Sequence, residues 1–317
     1  MGARLLTNLR QPRLLRSPLT PEMLAPVDIG CDLLIVGGEL TDDEYRQVAR
    51  LLEAHHSVAL QVQSDQTNLD FLRHFPKLRR FEAALPSLAS WEGLSYLPVD
   101  AEHLSLLRTK RALSIGVLGR FRNARRLYLE GHRKDVEVVA ELVGLEDLTL
   151  RSITLPDLSL LVGLDRLWSL DIKLGGINNL ALLPRLESLK YLELWAVRGL
   201  TDLTAIASTT SLQFLFLQDL SHVRAIPPLH SMGNLRRVWI ETLKALQDVC
   251  AFGTAPALEE FAAISMRHLP PENFRCFRGH HTLRYLTAGL GSRRKNEAVV
   301  AMFPQLERGQ LPPFEFK

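Results

Sequence analysis

A short leucine pattern, L-x-x-L-x-L, repeats along the chain and restricts its possible folds more than any other feature. It occurs as LEDLTL from Leu145, LWSLDI from Leu167, LKYLEL from Leu189 and LQFLFL from Leu212. Related strings begin at Leu78, Ala124, Leu235, Leu258 and Leu283. From Leu127 to Leu286 the fourth-position residues are separated by 21, 22, 22, 23, 23, 23 and 25 residues. Such a period predicts tandem structural units.

The pattern within each unit indicates a strand followed by short turns. Apolar residues at the fourth and sixth positions, with variable residues between them, predict a strand with one buried face. Between the strings, a spacing near three predicts short helical or 3₁₀ turns. One unit cannot bury both parts, so the units must stack. The sequence therefore predicts an α/β solenoid with a curved parallel sheet on its concave face and the short turns on its convex face.

This pattern resembles the leucine-rich-repeat family, and DLSLLVGLDRL (157–167) is similar to the bacterial internalin-type subclass with repeats of about 22 residues. The resemblance covers residues 67–290. The family usually has an Asn three residues after the sixth-position Leu. That position is occupied here by Ile153, Gly175, Val197, Leu220, Leu243, Met266 and Gly291. The resemblance therefore implies turns stabilised by apolar packing instead.

The remaining segments suggest a solenoid with a cap at each end. We expect a basic, flexible segment over 1–27, a strand-helix-strand cap over 28–66, the solenoid over 67–290, and a cap helix with a tail over 291–317. Thr41 and Glu44 form a capping box at the start of the first helix. The tail contains Pro312 and Pro313 and should be extended, and poorly ordered unless it is docked.

The repeat register is least regular over residues 85–125. Candidate strands YLPV (96–99) and ALSI (112–115) imply spacings of 14 to 16 residues. Those spacings are shorter than the roughly 20 residues that such repeats need. Either the turns there are very tight or one strand is misplaced.

Composition favours a cytoplasmic protein without a membrane span. No window approaches 18 uninterrupted apolar residues, and the N-terminus lacks the apolar stretch of a secretory signal. The Arg-rich start is also compatible with organelle targeting, as an alternative. The three cysteines are an odd number scattered along the chain, which suits reduced thiols. A net charge of +3 is too small to imply a polyanionic partner for the whole molecule.

The sequence contains none of the motifs for phosphate cradles, zinc proteases or hydrolase elbows. Cys276, His280 and His281, with Cys250 nearby in sequence, have a spacing that a metal can use, but a structural zinc site needs four clustered ligands. We therefore expect no enzymatic activity, no catalytic residues, no metal, no cofactor and no small-molecule substrate.

Large aromatic residues occupy the third, fifth and seventh positions of the strings, which point to the predicted concave face. With their charged neighbours they form an apolar centre with a mixed-charge rim, as protein interfaces have. The predicted partner-binding residues are Tyr128, Trp168, Tyr191, Trp195, Phe214, Phe216, Arg237, Trp239, Glu241 and Tyr285. The sequence thus predicts a non-catalytic scaffold that binds a protein partner. Alternatively, the rings are cross-strand ladders without a partner.

Two other functions are open at this point. A toxin-neutralising or effector-type inhibitor would use the same face. The stretch 108–134 is basic, and Glu130 is its only acidic residue. Such a stretch is able to contact nucleic-acid phosphates. Several of its residues fall on turns that face away from the predicted concave sheet, which disfavours nucleic acid as the partner.

Overall fold

A computed structural model describes residues 12–28, 30–307 and 311–317. The chain divides into two compact units, Met1–Ile153 and Thr154–Lys317. In each unit the described strands form a parallel sheet in which every strand lies beside its neighbours in the sequence. A short 3₁₀ helix follows most strands. The predicted solenoid architecture, with one strand per leucine string, is therefore confirmed.

The first unit contains seven strands and one α-helix among its described residues. They are β1 (Pro12–Leu15), β2 (Leu33–Gly37), α1 (Asp42–Glu53), β3 (Ala59–Gln63), β4 (Arg80–Ala84), β5 (His103–Leu106), β6 (Arg126–Glu130) and β7 (Asp147–Arg151). The 3₁₀ helices are Asp70–His74, Glu92–Tyr96, Gly116–Arg120 and Val136–Glu141.

The second unit contains six described strands and a helix near its end. They are β8 (Ser169–Lys173), β9 (Tyr191–Trp195), β10 (Phe214–Gln218), β11 (Arg237–Glu241), β12 (Glu260–Ile264), β13 (Tyr285–Ala288) and α2 (Arg293–Ala301). The 3₁₀ helices are Ser159–Leu161, Leu183–Arg185, Thr204–Ser208, Cys250–Thr254 and Pro271–Phe277. Within the described part of the chain, neither α-helix, nor any other, has the length and apolar character needed to cross a membrane.

Equivalent leucines of consecutive repeats lie side by side, as the repeat pattern predicts. Leu192 pairs with Leu215, which pairs with Val238, and all three are fully buried. Burying a Leu or Val side chain contributes about 1.5–3 kcal/mol. The ladders of fourth- and sixth-position residues therefore form the main core of each repeat.

A left-handed residue ends most strands of the repeats. The residue directly after each of β7 to β12 has φ between 49° and 56°. These residues are Ser152, Leu174, Ala196, Asp219, Thr242 and Ser265. None of the six is Gly, so each turn tolerates a conformation that costs an L-residue roughly 1–2 kcal/mol.

Apolar packing supports these turns, as the missing Asn implies. Ile153, Val197, Leu220, Leu243 and Met266 are all buried. The Leu243 backbone N–H also donates to the Met266 sulfur at 3.3 Å. Side chains of successive turns thus stack where the family's Asn would make polar contacts.

The capping box at α1 is present as predicted. The Thr41 hydroxyl accepts from the Glu44 backbone N–H, and Glu44 accepts from the Thr41 backbone N–H. Glu44 also accepts from the Leu19 N–H and the Ser17 hydroxyl, each at 3.0 Å. The capping residue therefore also holds the preceding segment. That segment includes β1, which pairs with β2 although the sequence suggested no strand there.

The two strands predicted within residues 85–125 are wrong. Residues 92–96 form a 3₁₀ helix, and residues 112–115 contribute only an isolated bridge at Ser114. The strand of this repeat is β5, within the string AEHLSL from Ala101. Its fourth-position residue, Leu104, lies 23 residues after Phe81 and 23 before Leu127, so the period is regular. Ala101 replaces the leading Leu, as Ala124 does one repeat later, and is fully buried.

Candidate functional site

The third, fifth and seventh positions of the strings lie on one face of the strands, here called the outer face, which the sequence predicts to be concave. On β9 the alternation places Leu192 and Leu194 in the core and Tyr191, Glu193 and Trp195 on the outer face. Trp195 is half-buried, but Tyr191 and Glu193 are fully buried. Something other than the core must therefore cover part of this face.

The chain's own C-terminal segment Leu311–Lys317, here called the tail, packs on the outer face of the second unit. The Phe314 ring centroid lies 5.2 Å from that of Phe214. Phe316 lies 5.1 Å from Trp168 and 6.2 Å from Tyr191, edge-to-face with the latter. The two tail phenylalanines thus complete an aromatic cluster that starts on β9 and β10.

Polar contacts hold the tail backbone. The Gln213 side-chain amide donates to the Lys317 carbonyl at 2.8 Å and accepts from the Lys317 N–H at 2.9 Å. Arg237 donates to the Pro312 carbonyl at 2.6 Å, and Arg236 donates to the Glu315 carbonyl. The sequence predicts that this segment is ordered only if it docks on the rest of the protein. In the structure it is docked.

Four of the predicted partner-binding residues are covered, so their predicted exposure is wrong. Tyr191 is 0%, Phe216 2%, Phe214 3% and Arg237 7% exposed. The tail packs on Tyr191 and Phe214. Arg237 contacts the tail and pairs with the buried Glu260. Phe216 stacks on Trp239 at 6.2 Å. Gln213, Arg236 and the tail itself were missed by the sequence analysis.

The other predicted residues of the second unit keep part of their surface. Trp168, Trp195, Trp239, Glu241 and Tyr285 are all half-buried. The strand register places Trp195 beside Gln218, and Gln218 beside Glu241. These three residues end β9, β10 and β11, and Trp239 lies on the same face of β11 two residues before Glu241. We call Trp195, Gln218, Trp239 and Glu241 the tryptophan surface.

Both tryptophans of this surface are oriented by neighbours. The Trp195 Nε1–H donates to the Asp219 carboxylate at 3.3 Å. The Trp239 ring is within 25° of parallel to the Phe216 ring beneath it. These contacts reduce the freedom of the two rings before any partner arrives.

A buried charge cluster lies between the tail and the tryptophan surface. Lys173 Nζ lies 3.1 Å from Asp171 Oδ2 and 3.2 Å from Glu193 Oε1, and the Tyr191 hydroxyl donates to Glu193 at 2.7 Å. Burial disfavours the charged lysine, but the two carboxylates outweigh it, so the pKa of Lys173 is raised. This arrangement keeps Lys173 charged and paired within the cluster.

Tyr285 and Tyr128 have carboxylate partners of their own. Tyr285 donates to Glu307, which also pairs with Arg284 at 2.7 Å. Tyr128 belongs to the first unit, is half-buried on β6, and donates to Glu130 at 3.3 Å. Burial, together with the Glu130 charge, raises the pKa of Tyr128 to about 12. Both hydroxyls therefore stay protonated near neutral pH.

The cysteine and histidine residues near the C-terminus do not assemble into a metal site. Cys250 and Cys276 both donate to the Asn273 carbonyl, and the His280 Nε2 contacts the Ala255 carbonyl at 2.9 Å. No cluster of three or more potential metal ligands occurs among residues 12–28, 30–307 and 311–317.

The basic stretch 108–134 is partly neutralised by acids of the next repeat. Arg122 lies 3.9 Å from Glu141, and Arg125 lies 3.6 Å from Glu146. The positive run in the sequence is therefore a less positive surface in the first unit.

Tandem leucine strings, one parallel strand per string and 3₁₀ turns between strands define the fold as a leucine-rich-repeat solenoid. Among solved structures it is similar to an internalin of Listeria monocytogenes, with 18% identity, a TM-score of 0.48, and coverage of 78% of this chain and 88% of that one. Internalin C2 of the same species has 19% identity, a TM-score of 0.44, and coverage of 56% and 84%.

A third structure, TLR13 in complex with a single-stranded RNA named ssRNA13, has 14% identity and a TM-score of 0.46. The alignment covers 88% of this chain and 54% of the TLR13 chain. No protein-family model matches the sequence, and no curated protein is significantly similar to it.

Proposed function

We propose that the protein is a non-catalytic scaffold that binds a protein partner through its concave face, at the tryptophan surface. The observation that carries this proposal is the pair Trp195 and Trp239, two half-buried indoles on one sheet face. Their strands lie two strand spacings apart, which is about 10 Å. Tryptophan is the residue most enriched at the energetic centres of protein interfaces.

The surroundings of the two rings suit a protein interface better than a ladder without a partner. Glu241 and Asp219 place negative charge at the edge, and Gln218 supplies an uncharged donor and acceptor between the rings. An apolar centre with a polar rim is the usual anatomy of such interfaces. Because Phe216 and Asp219 already orient the indoles, little side-chain entropy is lost on binding.

Truncation of either indole should weaken partner binding strongly. We expect Trp195→Ala or Trp239→Ala to cost about 2 kcal/mol or more of affinity, roughly a thirtyfold rise in Kd. The partner is first captured from the native cells with the wild-type chain as bait and then purified for calorimetry with each variant. Tyr96→Ala is the matched control, because Tyr96 is an aromatic residue that is 47% exposed at the end of a 3₁₀ helix.

We expect both tryptophan variants to bind the partner with this lower affinity. Tyr96→Ala should bind it with the affinity of the wild-type chain. Normal binding by both tryptophan variants would refute the site. A toxin-neutralising or effector-type inhibitor is a subtype of this proposal that uses the same surface, and the identity of the captured partner distinguishes it.

Salt dependence separates this proposal from nucleic-acid binding. A partner held by two indoles should lose little affinity between 50 and 200 mM salt, whereas several phosphate contacts would cost on the order of a thousandfold. The pairing of Arg122 and Arg125 with acids supports the first outcome. We also propose a cytoplasmic location, which the three unpaired cysteines support.

A further inference from the structure

The part of the outer face on which the tail packs has the features of a peptide-binding groove. It lies at the N-terminal ends of β8 to β11, away from Trp195 at the other end of β9. Its floor consists of Trp168, Tyr191 and Phe214, and its polar groups belong to Gln213, Arg236 and Arg237. We call this region the tail groove.

The two tail phenylalanines pack on different residues of the groove and on each other, with their ring centroids 4.8 Å apart. Phe314 packs on Phe214 beneath the guanidinium carbons of Arg236 and Arg237, which lie 4.7 and 5.0 Å from its centroid. Phe316 enters between Trp168 and Tyr191. The spacing of two residues places both rings on one side of an extended segment. The groove therefore favours an aromatic side chain at both positions.

The remaining contacts are made to the peptide backbone. Gln213 contacts both the N–H and the carbonyl of Lys317, and the two arginines donate to the carbonyls of Pro312 and Glu315. These contacts would be made to almost any residue in those places. Backbone hydrogen bonds for affinity combined with pockets for alternate side chains are a recurring mode of peptide recognition.

The groove side chains are held by neighbours on the same face of the sheet. Arg237 pairs with the buried Glu260, and the Tyr191 hydroxyl donates to the buried Glu193 at 2.7 Å. The tail itself is bound as a ligand would be: Phe314 and Phe316 are half-buried, while Pro312, Pro313, Glu315 and Lys317 are exposed. It is therefore separable from the core, whose leucines are fully buried.

We propose that the tail groove is a second binding site, distinct from the tryptophan surface, for an extended protein segment with a Phe-x-Phe pattern. The tail occupies this site within the same chain and competes with a partner that presents the same pattern. A tethered segment acts at an effective concentration in the millimolar range. An external segment therefore binds weakly until the tail is released.

The test is a fluorescence-anisotropy titration with a labelled peptide of the tail sequence, LPPFEFK. It is added to the full-length chain, to full-length Phe314→Ala/Phe316→Ala, and to that double variant with Gln213→Ala. We expect the double variant to bind the peptide at least tenfold more tightly than the wild-type chain, because its own tail no longer competes. Gln213→Ala should then weaken binding about fivefold or more, since the backbone clamp is lost.

Matched controls separate this groove from other surfaces. Gln218→Ala removes a glutamine at the C-terminal end of β10, whereas Gln213 directly precedes the N-terminal end. It should therefore leave the peptide affinity unchanged. A peptide with both Phe residues changed to Ala should not bind. Trp195→Ala should leave peptide binding unchanged even if it abolishes binding to the proposed partner, so the two proposals can fail independently.

Equal peptide affinity for the wild-type chain and the folded double variant would overturn the proposal, as would equal binding of the Ala-containing peptide. If the double variant shows no cooperative unfolding transition, it is not folded, and full-length Phe316→Ala replaces it in the same titration. It should bind the peptide more tightly than the wild-type chain does, and failure to do so would also refute the proposal.

Discussion

Replacement of Lys173 by Met should strongly destabilise the second unit. The Lys173 side chain is 10% exposed and lies between Asp171 and Glu193, which are 7% and 0% exposed. At separations of 3.1 and 3.2 Å, each attraction is about 5 kcal/mol before desolvation is subtracted, for an effective dielectric constant near 20. Burial offsets much of that attraction in the intact cluster.

The cost appears when the cation alone is removed. Asp171 and Glu193 are direct partners in the strand register, so Lys173→Met leaves two buried carboxylates side by side. Removing one member of a buried pair typically costs about 3–5 kcal/mol, and we expect about 3 kcal/mol here. Glu193→Gln in the same chain removes one of the two charges, and the Tyr191 hydroxyl can still donate to the amide oxygen. The double variant should recover at least about half of the loss.

The pH dependence has a defined sign. In the wild type, the raised pKa of Lys173 keeps its contribution in place from neutral pH up to 10.5, the usual lysine value, and the contribution is lost as pH rises further through the raised pKa.

The assay is urea unfolding followed by tryptophan fluorescence at pH 7. Trp168, Trp195 and Trp239 all belong to the second unit, and Trp91 belongs to the first, so the signal reports mainly the affected unit. A loss of less than about 1 kcal/mol at pH 7, or a loss that does not shrink when Glu193→Gln is added, would show that Lys173 does not stabilise the two carboxylates.

Three further predictions concern the turns and the capping box. Ala196 has a φ of 49°, so Ala196→Gly should raise the stability by about 1 kcal/mol. The control Ala205→Gly lies in the 3₁₀ helix Thr204–Ser208 and should not raise it. Thermal unfolding of both variants checks the sign. Thr41→Ala should lower the stability by about 1 kcal/mol, measured by urea unfolding. The hydrogen bond from the Thr41 backbone N–H lowers the pKa of Glu44 below its usual 4.5. The wild type should therefore be more stable than Glu44→Gln by a constant amount above pH 4.5, and this difference in stability should shrink as pH falls through the lowered pKa.

The repeat period predicted the fold because it reports core packing directly. Leu192, Leu215 and Val238 had to be buried wherever the strings were strands, and stacking follows from that. β5 was missed because Ala101 replaces the leading Leu, while YLPV resembles a strand in composition and actually covers the end of a 3₁₀ helix. A search at a spacing of 23 residues from Phe81 would have found Leu104.

The binding face was only partly predictable for a different reason. Alternation shows which side chains leave the core, but not what else lies on them. The tail phenylalanines that cover Tyr191 and Phe214 lie 125 and 100 residues further along the sequence, and no local pattern on β9 or β10 signals these contacts. The alternating Phe314 and Phe316 in LPPFEFK were the available signal, since such a pattern favours an extended segment with one apolar side.

Hydroxyl-radical footprinting of the protein with and without its captured partner tests the proposed surface most directly. Side-chain oxidation is read at Trp195 and Trp239, with Tyr96 as the internal reference. We expect the partner to suppress oxidation of both tryptophans and to leave oxidation of Tyr96 unchanged. Unchanged oxidation of both tryptophans in a saturated complex would contradict it.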